Sequence, residues 1–145
     1  MKDKEKNECY AYFRLVGSFD PAAITTKAGI NPTKVGLEGE YISGTQKRRT
    51  FSYWNLHSRL DRSSEIERHI SDVLDQLDVN KAGFRELSLQ YGGTMELVGY
   101  FWASYPGVVF EREVINRLDQ YALSVDCDFY FSSADEKASN PISSK

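Results

Sequence analysis

Residues 9–16 have the sequence CYAYFRLV, and this run of aromatic and branched side chains predicts a β-strand buried on at least one face. Successive side chains of a strand point to opposite faces, so the small and apolar residues would share one face. The other face would carry Tyr10, Tyr12 and Arg14. The segment therefore predicts a strand with one apolar side and one side rich in tyrosine.

Further segments of the chain have the same strand character. Residues 94–103 (TMELVGYFWA) and residues 125–131 (VDCDFYF) are rich in aromatic and branched residues and alternate in the same way. Residues 50–56 (TFSYWNL) also suit a strand. A preceding strand near residues 34–42 would pair with it as a hairpin, whose tip would be residues 43–49.

Helical patterns occupy the segments between most of these strands. The clearest one carries Ile66, Ile70 and Val73 at helical spacing, with charged residues on the outer face. Asp20-Pro21 and Asn80 are residues that commonly begin a helix. Helices are predicted over residues 21–28, 64–77, 81–91 and 111–122.

The order of these elements predicts an α+β fold. It would contain a mainly antiparallel sheet of about five to six strands, with two or three helices packed on it. The order β-α-β-β-α-α-β-α-β is closest to a ferredoxin-like arrangement of the split βαβ type. Residues 1–131 would form this single domain. Residues 132–145, rich in serine and lysine, are predicted to be a disordered tail.

Size and charge exclude several classes of protein. A chain of 145 residues can form one domain whose core needs no disulfide or metal. Its 18 basic and 21 acidic residues do not suit a protein that coats nucleic acid. No apolar run approaches the roughly 20 residues that span a bilayer, and no signal peptide is evident. We therefore expect a cytoplasmic protein without a membrane partner, and Cys9 and Cys127 as buried thiols.

Candidate catalytic and metal-binding residues are few. His57 and His69 have no cysteine or second histidine at the spacing of metal ligands. A nucleophilic pair of Cys9 or Cys127 with His57 is one alternative. Asp126 and Asp128 would share one strand face, where paired carboxylates can bind Mg²⁺ or act as acid and base. Solvated strand faces explain them more simply, so we predict no catalytic residue, no metal and no cofactor.

The basic residues Lys47, Arg48 and Arg49 form a short cluster at the predicted hairpin tip. Nearby aromatic residues could stack on bases. Three charges offer few contacts to phosphates, and the protein as a whole is acidic. Nucleic-acid binding is therefore not expected.

The aromatic content is high, at 13% with nine tyrosines and eight phenylalanines. Several of these residues fall in strands, and they would be core residues if helices covered both faces of the sheet. If one face is free, its tyrosines and arginine are the residue types enriched in binding hot spots. Acidic residues also outnumber basic ones in the C-terminal third, which suits a basic partner. The candidate partner-binding residues are Tyr10, Tyr12, Tyr100, Trp102, Asp126 and Asp128.

Five stretches of the chain together resemble a known bacterial family. They are YAYFRLVGSFDPAAIT, the strand around Trp54, HISDVLDQLDVNKAGFREL, LVGYFWASYPGVVFEREVINRL and LSVDCDFYF. Over residues 9–131 this pattern is similar to that of the "domain of unknown function 4279" family. The resemblance implies a small intracellular protein and assigns no activity or catalytic residue.

Two classes of function are compatible with the sequence. The first is a non-catalytic intracellular protein-binding module, in its sharpest form an immunity protein that inhibits a basic toxin such as a nuclease. The second is an enzyme or small-ligand-binding protein with an unfamiliar site. A concave pocket with His57 or a carboxylate cluster would favour the second class.

Overall fold

The computed structural model of the chain describes residues 6–132. Its strands and helices follow the predicted order along the chain. The strands are β1 (Glu8–Gly17), β2 (Lys34–Gly36), β3 (Ser52–His57), β4 (Thr94–Trp102) and β5 (Ser124–Ser132). The α-helices are α1 (Pro21–Ala28), α2 (Ile66–Leu77), α3 (Lys81–Tyr91) and α4 (Arg112–Gln120).

The strands form one sheet in the order β2-β3-β1-β4-β5. All neighbouring strands are antiparallel except β4 and β5, which are parallel. It follows that β1 and β2 are parallel with β3 between them, and that β3 and β4 are parallel with β1 between them. These two split βαβ units confirm the ferredoxin-like arrangement for the first four strands. The α4 crossover then adds β5 beside β4.

The helix starts follow the local sequence. The Asp20 carboxylate accepts a hydrogen bond of 3.0 Å from the Ala22 N–H, and proline occupies the first position of α1. Asn80 caps α3 by accepting from the Gly83 N–H at 3.1 Å. The amide of Asn80 also donates to the carbonyl groups of Lys27 and Ala28. This single side chain therefore joins the end of α1 to the start of α3.

The core lies between the helices and one side of the sheet. All four helices contribute buried apolar residues to it, and β1 contributes only the residues of its apolar side. Phe84 of α3 packs edge-on against Phe13, with ring centroids 5.4 Å apart, and lies 5.9 Å from Trp54. The Trp54 indole N–H donates to the Thr25 hydroxyl at 3.0 Å, so its polar atom is satisfied inside the core.

The strand predicted near residues 34–42 is shorter in the structure and ends at Gly36. The ring of Tyr53 lies against Gly36, where a larger side chain would collide with it. Gly39 then adopts a left-handed conformation, with φ of 91°, that favours glycine. The chain therefore leaves the sheet after three paired residues, and a single bridge between Tyr41 and Arg48 closes the loop.

The expectation of two buried thiols is wrong for one cysteine. Cys9 is buried, but Cys127 is exposed. Both lie on the helix side of the sheet, and α4 packs against α2 without covering Cys127.

The predicted tail of residues 132–145 lies outside the described residues except for Ser132, which ends β5. None of the helices within residues 6–132 is long and apolar enough to cross a bilayer.

Candidate functional site

The side of the sheet opposite the core is named here the open face. Within residues 6–132, the helices bury their apolar residues against the other side. The strand register places the side chains of alternate residues next to one another across β3, β1, β4 and β5. The open face is defined by Tyr53, Asn55, His57, Tyr10, Tyr12, Arg14, Glu96, Val98, Tyr100, Trp102, Asp126, Asp128 and Tyr130.

All six candidate partner-binding residues are on this face. The register pairs Tyr12 with Glu96, and Glu96 with Asp126. Tyr100 pairs with Tyr130 and stacks on its ring, with centroids 5.2 Å apart. Trp102 is the last residue of β4, and its half-buried side chain points to the same face as that of Tyr100. The candidates therefore belong to one continuous surface.

A stack of flat side chains occupies the β3–β1 half of the open face. The rings of Tyr12 and His57 lie 4.5 Å apart and are inclined by only 8°. Tyr10 extends the stack, with its centroid 5.7 Å from that of His57. The Arg62 guanidinium lies 4.5 Å from the Tyr10 ring centroid, within the range of a cation–π contact. This half of the face is a preformed aromatic platform.

The stack disfavours the charged form of the His57 imidazole. Burial lowers its pKa, and the positive charges of Lys34 and Arg62 lower the pKa further. A neutral ring can stack on tyrosine without adding charge to the platform. His57 was not among the candidate binding residues, because only the pairing of β3 with β1 brings it to Tyr12.

Three carboxylates form an acidic group in the β4–β5 half of the face. Oxygen atoms of Glu96, Asp126 and Asp128 lie within 4.8 Å of one another. Glu96 is only 7% exposed. Burial raises the pKa of Glu96, and the neighbouring Asp126 raises it further, against a hydrogen bond of 2.7 Å from the Thr94 hydroxyl. Sequence reasoning found the two aspartates and missed Glu96, which only the register places beside them.

Tyr12 and Arg14 join the platform to the acidic group. Burial is the main cause that raises the pKa of Tyr12. The positive charge of Arg14 lowers the pKa of Tyr12, whereas the negative charges of Glu96 and Asp128 raise it. The centre of the face therefore presents a protonated phenol between aromatic rings and carboxylates.

The acidic group is the candidate cation site of residues 6–132. Carboxylate oxygens are the ligands that Mg²⁺ and Ca²⁺ prefer. The group supplies three carboxylates, whereas Ca²⁺ takes about six to eight oxygen ligands. Its three carboxylates, one buried, one half-buried and one exposed, also gain from a cationic side chain of a partner.

The alternative nucleophilic pair of cysteine and His57 is not formed. Cys9 and Cys127 lie on the helix side of the sheet, whereas His57 lies on the open face. Burial raises the pKa of both thiols, and nearby carboxylates raise it further. Both thiols are therefore protonated at neutral pH, the less reactive form.

His69, the second histidine, lies in the core and not on the open face. It is fully buried in α2, and its Nδ1 atom hydrogen-bonds to the Ser58 hydroxyl. Burial is the main cause that lowers its pKa. Its contacts tie the start of α2 to the chain that follows β3.

The basic cluster lies in the loop that follows β2. The Arg48 guanidinium donates to the Gly39 carbonyl at 2.9 Å and covers the Tyr41 ring at 4.3 Å. Arg49 lies 5.3 Å from the Tyr53 ring centroid. Two of the three cations are therefore engaged by the protein itself.

A cavity of about 580 Å³ lies between the start of β1 and the start of α2, and Arg62 separates it from Tyr10 of the open face. Cys9, Ile66 and Phe101 contribute apolar walls. Arg62 and Glu65 are among its polar residues. Its volume falls within the range of small-molecule sites.

Fold and site together define an α+β domain in which the helices of residues 6–132 leave one sheet face of aromatic and acidic residues uncovered. Residues 7–132 match the family described as domain of unknown function (DUF4279), and the chain belongs to that family. The resemblance inferred from the sequence is thereby confirmed. No curated protein and no solved structure matches the chain.

Proposed function

We propose that the protein is a non-catalytic, intracellular protein-binding module that uses the open face. The observation that carries the proposal is the arrangement of two aromatic stacks around Glu96, Asp126 and Asp128. Stacked rings are large, rigid contacts that lose little conformational entropy on binding. The carboxylates add a negative potential that selects for cationic partners.

The partner class that fits this surface is a basic protein. Its lysine or arginine side chains would meet the acidic group, while the tyrosines would supply apolar contact. In its most specific form, the proposal is that the protein acts as an immunity protein. It would cover the basic substrate site of a toxin such as a nuclease. Opposite potentials speed such an encounter and disfavour acidic competitors.

Capture from the protein's own cells tests this proposal. The tagged protein is compared with the double variant Asp126→Asn and Asp128→Asn, which keeps shape but removes two charges. The double variant Glu113→Gln and Asp119→Asn removes two exposed charges from α4 and is the matched control. Bound proteins are eluted with increasing salt and identified by mass spectrometry.

The expected result is one stoichiometric basic protein that is retained by the wild type and the control and lost by the open-face variant. We expect the same partner to elute from the Tyr12→Ala variant at a lower salt concentration than from the wild type. Absence of any partner, together with no toxin gene beside this gene, would refute the immunity proposal. Equal capture by all variants would refute the use of the open face.

Binding of a small ligand is the second candidate function, and the cavity of about 580 Å³ favours it. Thermal-shift screening of metabolite collections tests this candidate. Val109 lines the cavity and is mostly exposed, so Val109→Trp should fill space without disturbing the core. A compound that stabilises the wild type and not this variant would support the candidate. No stabilising compound would refute it.

A further inference from the structure

Strand β5 is a long edge strand of the sheet that residues 6–132 form. Its nine residues pair with β4 on one side, and no strand within residues 6–132 pairs with the other side. Edges of this length are unusual, since unpaired N–H and C=O groups invite further strands. Proteins commonly shorten or cover such edges.

The hydrogen bonds at both ends of β5 show which backbone groups point outward. The Ser124 N–H donates to the Gly93 carbonyl at 3.2 Å, and the Ser132 carbonyl accepts from the Ala103 N–H at 2.7 Å. The even-numbered residues therefore bond toward β4. Since backbone groups alternate along a strand, Val125, Cys127, Phe129 and Phe131 direct their N–H and C=O groups away from the sheet.

The two sides of this edge differ in chemistry. On the open face, β5 carries Asp126 and Asp128, with Glu96 beside them on β4. On the helix side, Val125 is 41% exposed and Cys127 is exposed, although both point toward the side that the helices cover elsewhere. An added strand would therefore meet carboxylates on one side and apolar surface on the other.

We propose that β5 is the docking edge for an extended segment of a basic partner protein, which joins the sheet as a sixth strand. This inference rests on the proposed function as a protein-binding module and names how the partner is held. Lysine or arginine at alternate positions of the segment would face Asp126 and Asp128. The apolar residues between them would cover Val125 and Cys127, as in other cases of β-strand addition.

Charge favours a basic segment over a second copy of this chain. Antiparallel pairing of two β5 strands centred on Cys127 or Asp128 places aspartates opposite aspartates. Like charges directly opposite each other destabilise a strand pair. A cationic segment would instead place opposite charges across the strand pair, which stabilises it.

The first experiment uses a labelled nine-residue peptide of alternating lysine and valine, with blocked ends. An alternating glutamate and valine peptide is the control for charge. Binding is measured by fluorescence anisotropy, and amide hydrogen exchange locates the site. The lysine peptide should slow exchange at Val125, Cys127 and Phe129, whereas the glutamate peptide should not bind.

A matched pair of variants tests strand addition itself. Cys127→Pro removes an outward N–H at an edge position where proline is tolerated, and Cys127→Ala keeps it. We expect the proline variant to weaken peptide binding at least about ten-fold and the alanine variant to change it less than about two-fold. Circular dichroism and thermal unfolding verify that both variants fold. If the proline variant does not fold, the test of strand addition is the hydrogen exchange of the wild type. Slower exchange at Val125, Cys127 and Phe129 on peptide binding would support it.

Several outcomes would overturn the inference. They are equal peptide binding by both Cys127 variants, protection confined to Tyr12 and its neighbours, or sedimentation showing a dimer held through β5. The captured cellular partner separates this inference from the proposed function. If the partner binds the Cys127→Pro variant normally but not the Asp126 and Asp128 variant, the open face binds it and the edge does not. If no partner exists, the proposed function itself fails.

Discussion

The imidazole of His57 lies parallel to the phenol ring of Tyr12, with ring centroids 4.5 Å apart. The two residues are neighbours across the β1–β3 pair, and neither belongs to the core beneath. The contact fixes two ring planes on a sheet face that no helix within residues 6–132 covers. It also places a titratable group where burial disfavours its charged form.

Acid should destabilise the protein through its histidines. The pKa values of His57 and His69 are lowered in the folded state, mainly by burial. Below about pH 6.5 the unfolded chain therefore binds protons that the folded chain does not, and the free energy of unfolding falls as pH decreases. In the His57→Phe variant, which keeps a ring on Tyr12, this fall should be smaller. Urea denaturation between pH 7.5 and 5.5 measures the free energy of unfolding. If this energy depends on pH equally in the wild type and in His57→Phe, the assignment to His57 is contradicted.

Glu96 should have the opposite effect on the pH dependence. Its pKa is raised in the folded state, so the folded chain binds the proton more tightly and stability falls as pH rises above the ordinary range of glutamate. Glu96→Gln should therefore be more stable than the wild type at pH 8, with a difference that shrinks toward pH 5. Thermal unfolding at both pH values checks this. The same substitution at the exposed Glu113, Glu113→Gln, is the matched control.

Removal of the Phe84 ring should be costly. Phe84 is 0% exposed and packs on Phe13 and Trp54. Phe84→Ala should lower the free energy of unfolding by about 3–5 kcal/mol, because the core loses burial and gains a cavity. Leu89 lies on the same helix but is 63% exposed, so Leu89→Ala should change stability by less than about 0.5 kcal/mol. Chemical denaturation measures both, and similar losses would argue against this packing.

Asn80 combines a helix cap with a bridge between two helices, and two substitutions separate these roles. Asn80→Ala removes both the acceptor for Gly83 and the donors to Lys27 and Ala28, and should cost about 2 kcal/mol. Asn80→Asp keeps the cap acceptor, but it replaces the donors with a charged carboxylate oxygen that faces the carbonyl groups of Lys27 and Ala28. If Asn80→Asp is as stable as the wild type in denaturant titrations, the bridge contributes nothing measurable.

The local elements were predictable because their signals lie within a few residues. The alternation in residues 9–16, the spacing of Ile66, Ile70 and Val73, and the cap at Asn80 each gave an element that the structure contains. The alternation also indicated that Tyr10 and Tyr12 share a face. The short β2 was not predictable, since it depends on the packing of Tyr53 against Gly36 across the hairpin.

The candidate site could be predicted only strand by strand. Sequence alone put Asp126 and Asp128 on one face of β5, and Tyr100 with Trp102 on one face of β4. It gave no register, so Glu96 beside Asp126 and His57 on Tyr12 were not foreseen. It also predicted that Cys127 would be buried, because strand pattern does not reveal how far a helix layer extends.

The sequence by itself determined the type and order of the elements, because propensity, periodicity and capping act between near neighbours in the chain. Only the tertiary structure decided which strands are adjacent, and which sheet face and which edge residues 6–132 leave uncovered. Those choices depend on the burial of many side chains that are distant in sequence. For this protein, they bring separate tyrosines, a histidine and three carboxylates into one surface beside the β5 edge.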